Sequence, residues 1–146
     1  MHIHETQIRV LYAHTDKAGV VYYANYLTFF EVGRTEYMRA LGRSYADFER
    51  EGIILTVTEA MVRYLSPAWY DDLLTVRTRV TRVRRTRLDF AYEIVNAAGR
   101  RLCEGTTVLG CLEVATKRPR ELPESLRAMM EGASAGATGA SSPAPG

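Results

Sequence analysis

A chain of 146 residues, 47% hydrophobic and 25% charged, has the length of one compact domain and enough apolar side chains to bury a core. With 19 Lys and Arg against 17 Asp and Glu, the formal charge of +2 is too mild to mark a nucleic-acid protein. The polar, histidine-containing start does not read as a signal peptide and no apolar run nears 18 residues, so neither secretion nor membrane insertion is expected and the cytoplasm is the expected compartment.

Residues 3–12 alternate loosely as a strand, and then His14, Thr15, Asp16, Lys17, Ala18 and Gly19 break the pattern as a loop. Over residues 22–41 the apolar positions Tyr26, Phe30, Gly33, Tyr37 and Leu41 recur at helical spacing, while Glu31, Thr35 and Arg39 share another face. Tyr26, Leu27, Phe29 and Phe30 make the first half apolar over more than one stripe, as in a helix enclosed by other structure. Gly42 suits its C-terminal stop. Ser44 and Asp47 form a capping-box pair that predicts a short helix over 45–51, ending at Gly52.

Residues 53–65, 73–83, 87–95 and 101–114 are rich in β-branched and aromatic side chains, with turn candidates between them, and read as four strands. Leu88, Phe90, Tyr92 and Ile94 point one way, and Arg87, Asp89, Ala91 and Glu93 the other, so the sheet has one buried face. The long helix is the element large enough to cover it, and short connections favour antiparallel pairing, which gives an α+β fold. Cys103 and Cys111 lie eight residues apart in one strand, roughly 26 Å when extended, too far for a disulfide. Residues 132–146 consist almost wholly of Gly, Ala, Ser and Pro and are expected to form a disordered, dispensable tail after a single domain over 1–131.

Tyr12, Thr15-Asp16, Gly19-Val20-Val21-Tyr22 and Tyr26, followed by Phe29-Phe30-Glu31 and Arg34, resemble the signature of the 4-hydroxybenzoyl-CoA thioesterase family and its Tol-Pal-associated relatives. Ile94-Val95-Asn96 and the segment Lys117-Arg118-Pro119-Arg120 with Leu122-Pro123 extend the resemblance over most of the chain. It implies a hotdog fold, an antiparallel five-stranded sheet wrapped around one long helix. It also implies hydrolysis of acyl-CoA thioesters and a homo-oligomer, a tetramer built from dimers, with active sites shared between subunits. One helix and five strands leave sheet edges open, which pairing between subunits closes.

A carboxylate in a loop just before a helix lies near free helical N–H groups that can hold an oxyanion. Asp16 is then the nucleophile or the general base on water. The thiolate leaving group, with a pKa of about 8.5, needs little help from an acid. By resemblance the backbone N–H of Tyr23 faces the thioester oxygen; several relatives carry His there, so the Tyr leaves the backbone role and removes the imidazole. Tyr12 either hydrogen-bonds near Asp16 or packs, and Val21 and Tyr22 are expected to line the substrate's path. The basic cluster around Arg84 and Arg85, with Lys117 and Arg118, offers guanidinium and ammonium partners for the phosphates of coenzyme A, although such runs are often merely solvated.

An isolated Asp before a helix is ordinarily a cap or turn residue, and the motif is what reverses that reading. Glu31 is the rival carboxylate, with Arg34 as its salt-bridge partner. His2 and His4 alternate as ligands might, yet no third ligand is apparent, so no metal or other cofactor is expected. His14 is expected to face solvent. A hydratase on the same fold would need a placed His, and none follows position 14. The other alternative is a non-catalytic acyl-CoA-binding hotdog protein; neither a nucleic-acid nor a membrane partner is expected.

Overall fold

A computed structural model describes residues 1–135; positions 136–146, most of the expected tail, lie outside the described residues. The elements in chain order are β1 (His4–Arg9), α1 (Asn25–Ala40), α2 (Tyr45–Arg50), β2 (Ile53–Tyr64), β3 (Leu73–Val83), β4 (Arg87–Val95), β5 (Arg101–Glu113) and α3 (Glu124–Ala135). The strands form one antiparallel sheet in the order β1-β3-β4-β5-β2. The sheet packs on α1, as the period-2 and period-3.6 patterns predict, in the hotdog arrangement that the resemblance implies.

Local chemistry fixes the boundaries. Gly42, at φ 98°, takes the left-handed position after α1; its amide bonds the Arg39 carbonyl and the Arg43 amide bonds that of Met38, closing the helix. Ser44 and Asp47 exchange backbone-to-side-chain hydrogen bonds and start α2. Leu88, Phe90, Tyr92 and Ile94 are buried on the inner face of β4, against Tyr26, Phe29, Phe30, Tyr37 and Met38 of α1. The Phe30 ring stacks on Tyr92 with centroids 4.3 Å apart. Cys103 and Cys111 are buried and unpaired.

Three elements differ from expectation, the first being β1, which ends at Arg9 rather than near position 12, where a 3-10 turn over Tyr12–His14 begins. Helix α1 starts at Asn25 rather than near position 22, because the preceding residues are held in a bonded loop. Helix α3 was not anticipated, and it runs through positions 132–135, beyond the expected end of the domain. It buries Leu126, Met130 and Ala133, one stripe at i, i+4 and i+7 spacing, and its Ala133 carbonyl accepts from the His2 amide. Truncation after Glu131 therefore lowers the melting temperature by about 3 °C, the effect of one lost hydrogen bond and a small buried side chain, readable by thermal unfolding.

On the outer face, one register row crosses all five strands as Glu5, Arg77, Glu93, Glu104 and Arg63. Arg101 bridges the two adjacent carboxylates, Glu93 at 3.2 Å and Glu104 at 2.8 Å. Arg77 bonds both Glu5 and Glu93, which raises its pKa. A basin of about 930 Å³ lies over this row.

Candidate active site

The segment before α1 is a structured loop. A single 3-10 turn spans Tyr12–His14, and the Thr15 hydroxyl and amide both donate to the Tyr12 carbonyl. Thr15 then pairs with Val21, and Val20 with Trp69, so residues 16–19 are pinched out as a tight turn. Within it the Asp16 amide donates to the Val20 carbonyl and the Gly19 amide to the Asp16 carbonyl. Gly19 is at φ 89°, which favours a residue without a Cβ.

Asp16 Oδ1 accepts from the Ala18 amide at 2.8 Å. That bond orients the carboxylate and leaves the other oxygen without a protein partner among the described residues. The side chain is exposed, on a loop tied at both ends. The Val21 amide bonds the Ala68 carbonyl and the Tyr22 amide the His14 carbonyl, which also takes the Asn25 side chain. His14 does not face solvent as expected. Its Nδ1 accepts from the Leu11 amide and its ring meets Phe29 edge-on, so it supports the loop from beneath.

The turn into α1 supplies the donors. The Tyr22 carbonyl accepts from the Asn25 amide and the Tyr23 carbonyl from that of Tyr26. The amides of Tyr23 and Ala24 donate to no acceptor among the described residues, so two consecutive N–H groups are free beside the carboxylate loop. The amides of the helix proper are already used from Asn25 onward, which puts the free donors one step earlier than a plain helix N-terminus would.

The aromatic side chains divide by role. Val21 is buried, while Tyr12, Tyr22 and Tyr23 are exposed. The Tyr12 ring, 79% exposed, meets Tyr70 edge-to-face and makes no hydrogen bond to Asp16. A hydrogen bond with the Tyr23 side chain raises the phenol pKa of Tyr22. Burial pushes the Tyr26 phenol up to about 12, with the Ala68 backbone acting in the opposite sense. Sequence reasoning missed Ala24, Tyr64 and Trp69. The Tyr64 hydroxyl donates to the Tyr23 carbonyl at 3.0 Å, and the Trp69 ring lies 3.8 Å from where a Gly19 Cβ would stand.

The basic residues are not all free. Arg84 is clamped by Asp89 in a bidentate pair, and Arg85 pairs with Glu121 at 3.2 Å. Lys117, at φ 60°, donates to the Val114 carbonyl, and neither it nor Arg118 pairs with a carboxylate among the described residues. The two groups share one end of the sheet, where the Leu122 amide bonds the Arg85 carbonyl and the Glu113 amide that of Arg118. The Asp16 loop is at the other end, beside Tyr64, Ala68 and Trp69. The 11 residues of β3 connect the two ends, a distance of about 33 Å. One protomer therefore does not bring Asp16 to Arg84, Arg85, Lys117 or Arg118. Glu31 is exposed and forms no ion pair with Arg34, whose charge acts instead against the burial that raises the Tyr92 phenol pKa.

No group of three or more possible metal ligands occurs among the described residues, and no described helix is long and apolar enough to cross a membrane.

Residues 10–130 match the Thioesterase-like superfamily. The chain is 38% identical to the acyl-CoA thioester hydrolase YbgC of Escherichia coli over 119 residues, covering 82% of this chain and 89% of that one. It is 31% identical to the 1,4-dihydroxy-2-naphthoyl-CoA hydrolase of Thermosynechococcus vestitus over 132 residues, 90% of each chain. Among solved structures, the DHNA-CoA thioesterase of Staphylococcus aureus superposes with a TM-score of 0.84 at 40% identity, over 90% of this chain and 88% of that one. The family match over most of the chain, the sequence likeness and the shared five-stranded sheet with its helix agree, and the chain belongs to the Thioesterase-like superfamily of hotdog-fold thioester hydrolases.

Proposed function

We propose that this protein is an acyl-CoA thioesterase that hydrolyses a short-chain or aromatic acyl-CoA to the free acid and coenzyme A. The observation that carries the reading is the pairing of an oriented carboxylate, half of it unengaged, with two free amides across one turn. Asp16 either attacks the thioester carbonyl, giving a mixed anhydride that water then hydrolyses to the free acid, or takes a proton from the attacking water, while the Tyr23 and Ala24 amides receive the oxygen as it gains charge. The thiolate departs without a general acid. Val21 and Tyr22 border the path between them.

Asp16 alone on an exposed loop excludes little water, so the site calls for a second subunit. Strand β2 supplies the means, being an edge strand of 12 residues with Val57, Met61 and Tyr64 exposed. Antiparallel pairing of β2 with its symmetry mate would set the Asp16 end of one protomer beside the Lys117 and Arg118 end of the other. That arrangement lets cations about 33 Å away within a chain reach the nucleotide of a substrate bound at the neighbouring Asp16. A tetramer of two such dimers fits the reading, as do two reduced cysteines and a cytoplasmic setting.

Release of free thiol from a panel of short, long and aromatic acyl-CoAs tests the activity, and no turnover of any member sinks it. Removing the charges of Lys117 and Arg118 should raise KM for acyl-CoA severalfold with little change in kcat, because contacts remote from the carbonyl bind ground and transition states alike. Acyl-pantetheine, which lacks the nucleotide, should show no such rise. Arg84→Ala should instead act through stability, since it leaves Asp89 without its partner.

A further inference from the structure

The two free amides depend on how their peptide planes are held. In a trans peptide the C=O and the following N–H point in opposite directions. Whatever fixes the Tyr23 carbonyl therefore aims the Ala24 N–H. The hydroxyl that does so comes from Tyr64, at the last position of β2, 41 residues away in sequence. Its ring is 49% exposed and sits edge-to-face on Tyr23, at 6.3 Å and 86°, and on Tyr26, at 5.4 Å and 70°. Partial burial raises the Tyr64 phenol, so it remains a neutral donor at working pH. The weaker bond from the Tyr26 amide to the same carbonyl, 3.3 Å, leaves most of the aiming to Tyr64.

We propose that Tyr64 is a positioning residue for the oxyanion donors: its hydroxyl locks and polarises the Tyr23–Ala24 peptide so that the Ala24 N–H points at the developing negative charge. A carbonyl that accepts a hydrogen bond strengthens the donor at the other end of its peptide, because successive bonds polarise one another. The effect acts on transition-state charge, which the ground-state carbonyl carries only in part. Because Tyr64 belongs to the open edge strand, pairing of β2 with a second copy also steadies this donor. The inference rests on the acyl-CoA thioesterase reading and specifies which side chain sets its oxyanion geometry.

Tyr64→Phe removes only the hydroxyl and keeps both aromatic contacts. Expected is a fall in kcat of about tenfold with KM changed by less than about twofold, the signature of an interaction made chiefly in the transition state. The melting temperature should move by no more than about 2 °C, since the lost bond is half-exposed. In protein labelled with 15N-alanine, the Ala24 amide proton resonance should move to lower chemical shift as its peptide loses polarisation. Unchanged kcat in an active background, or loss of kcat only in step with unfolding, overturns the proposal. Failure of the wild-type protein to turn over any acyl-CoA overturns the thioesterase reading instead, and an unmoved Ala24 resonance then also overturns the role of Tyr64.

Discussion

Asp16→Asn lowers kcat by something on the order of a hundredfold or more, the usual reach of general-base catalysis, while substrate still binds. The asparagine oxygen can keep the bond from the Ala18 amide that Asp16 Oδ1 accepts, so the turn and its Gly19 survive the change. What is lost is the unengaged carboxylate oxygen, which becomes an amide NH2 that neither attacks a carbonyl nor takes a proton. Glu31→Gln is the matched control. Glu31 is exposed and pairs with no cation among the described residues, so its replacement should shift stability by less than about 0.5 kcal/mol and leave kcat alone. Steady-state kinetics of the two variants decides between the loop and the helix, and a reversal of the outcomes would move the catalyst to α1 while sparing the fold.

Gly105→Ala is expected to be the most damaging single methyl in the sheet. A Cβ at Gly105 would stand 2.4 Å from the Met61 carbonyl oxygen and 2.6 Å from the Phe30 ring. The ring is wedged against Tyr92, and the carbonyl belongs to the paired backbone of β2, so neither neighbour can step aside cheaply. Destabilisation of about 3 kcal/mol, the upper end of overpacking costs, follows. Chemical denaturation would register it as a lower midpoint at unchanged slope. A loss under about 1 kcal/mol would mean that α1 has room to lift off the sheet.

The strands were the most readable part of the sequence. The limits expected for β3 and β4 coincide with the observed ones, because β-branched alternation and flanking turn residues act at short range. Helix α1 was readable from its buried stripe, but not its first turn, since tertiary hydrogen bonds to His14 and Ala68 hold the preceding residues in a loop. Helix α3 escaped notice because its last turn is Gly-Ala-Ser-Ala, a composition that suggests disorder until a docking surface for Ala133 is known. In the candidate site, Asp16 and Tyr23 lie in one continuous motif and were visible together. Tyr64 was not, because its role is a bond to a distant main-chain oxygen, which no local pattern encodes. The basic turn shows the same limit. Nothing in the spacing of Arg84 and Arg85 reveals that Asp89 and Glu121 already occupy them. Glu31 and Arg34 have the spacing of an ion pair and do not form one, which the spacing alone does not reveal.

The tight turn that carries Asp16 also has a built-in optical label. Trp69 is the chain's single tryptophan, 52% exposed, with its ring against Gly19 and its backbone paired to Val20. Intrinsic emission excited at the indole band therefore originates from this one corner of the molecule, and any ligand that settles over the carboxylate changes the solvent around that fluorophore. A quench or blue shift on adding an unreactive acyl-CoA analogue would report occupancy directly, without an engineered dye and without turnover, so that association and dissociation rates become measurable by stopped flow on the unmodified protein.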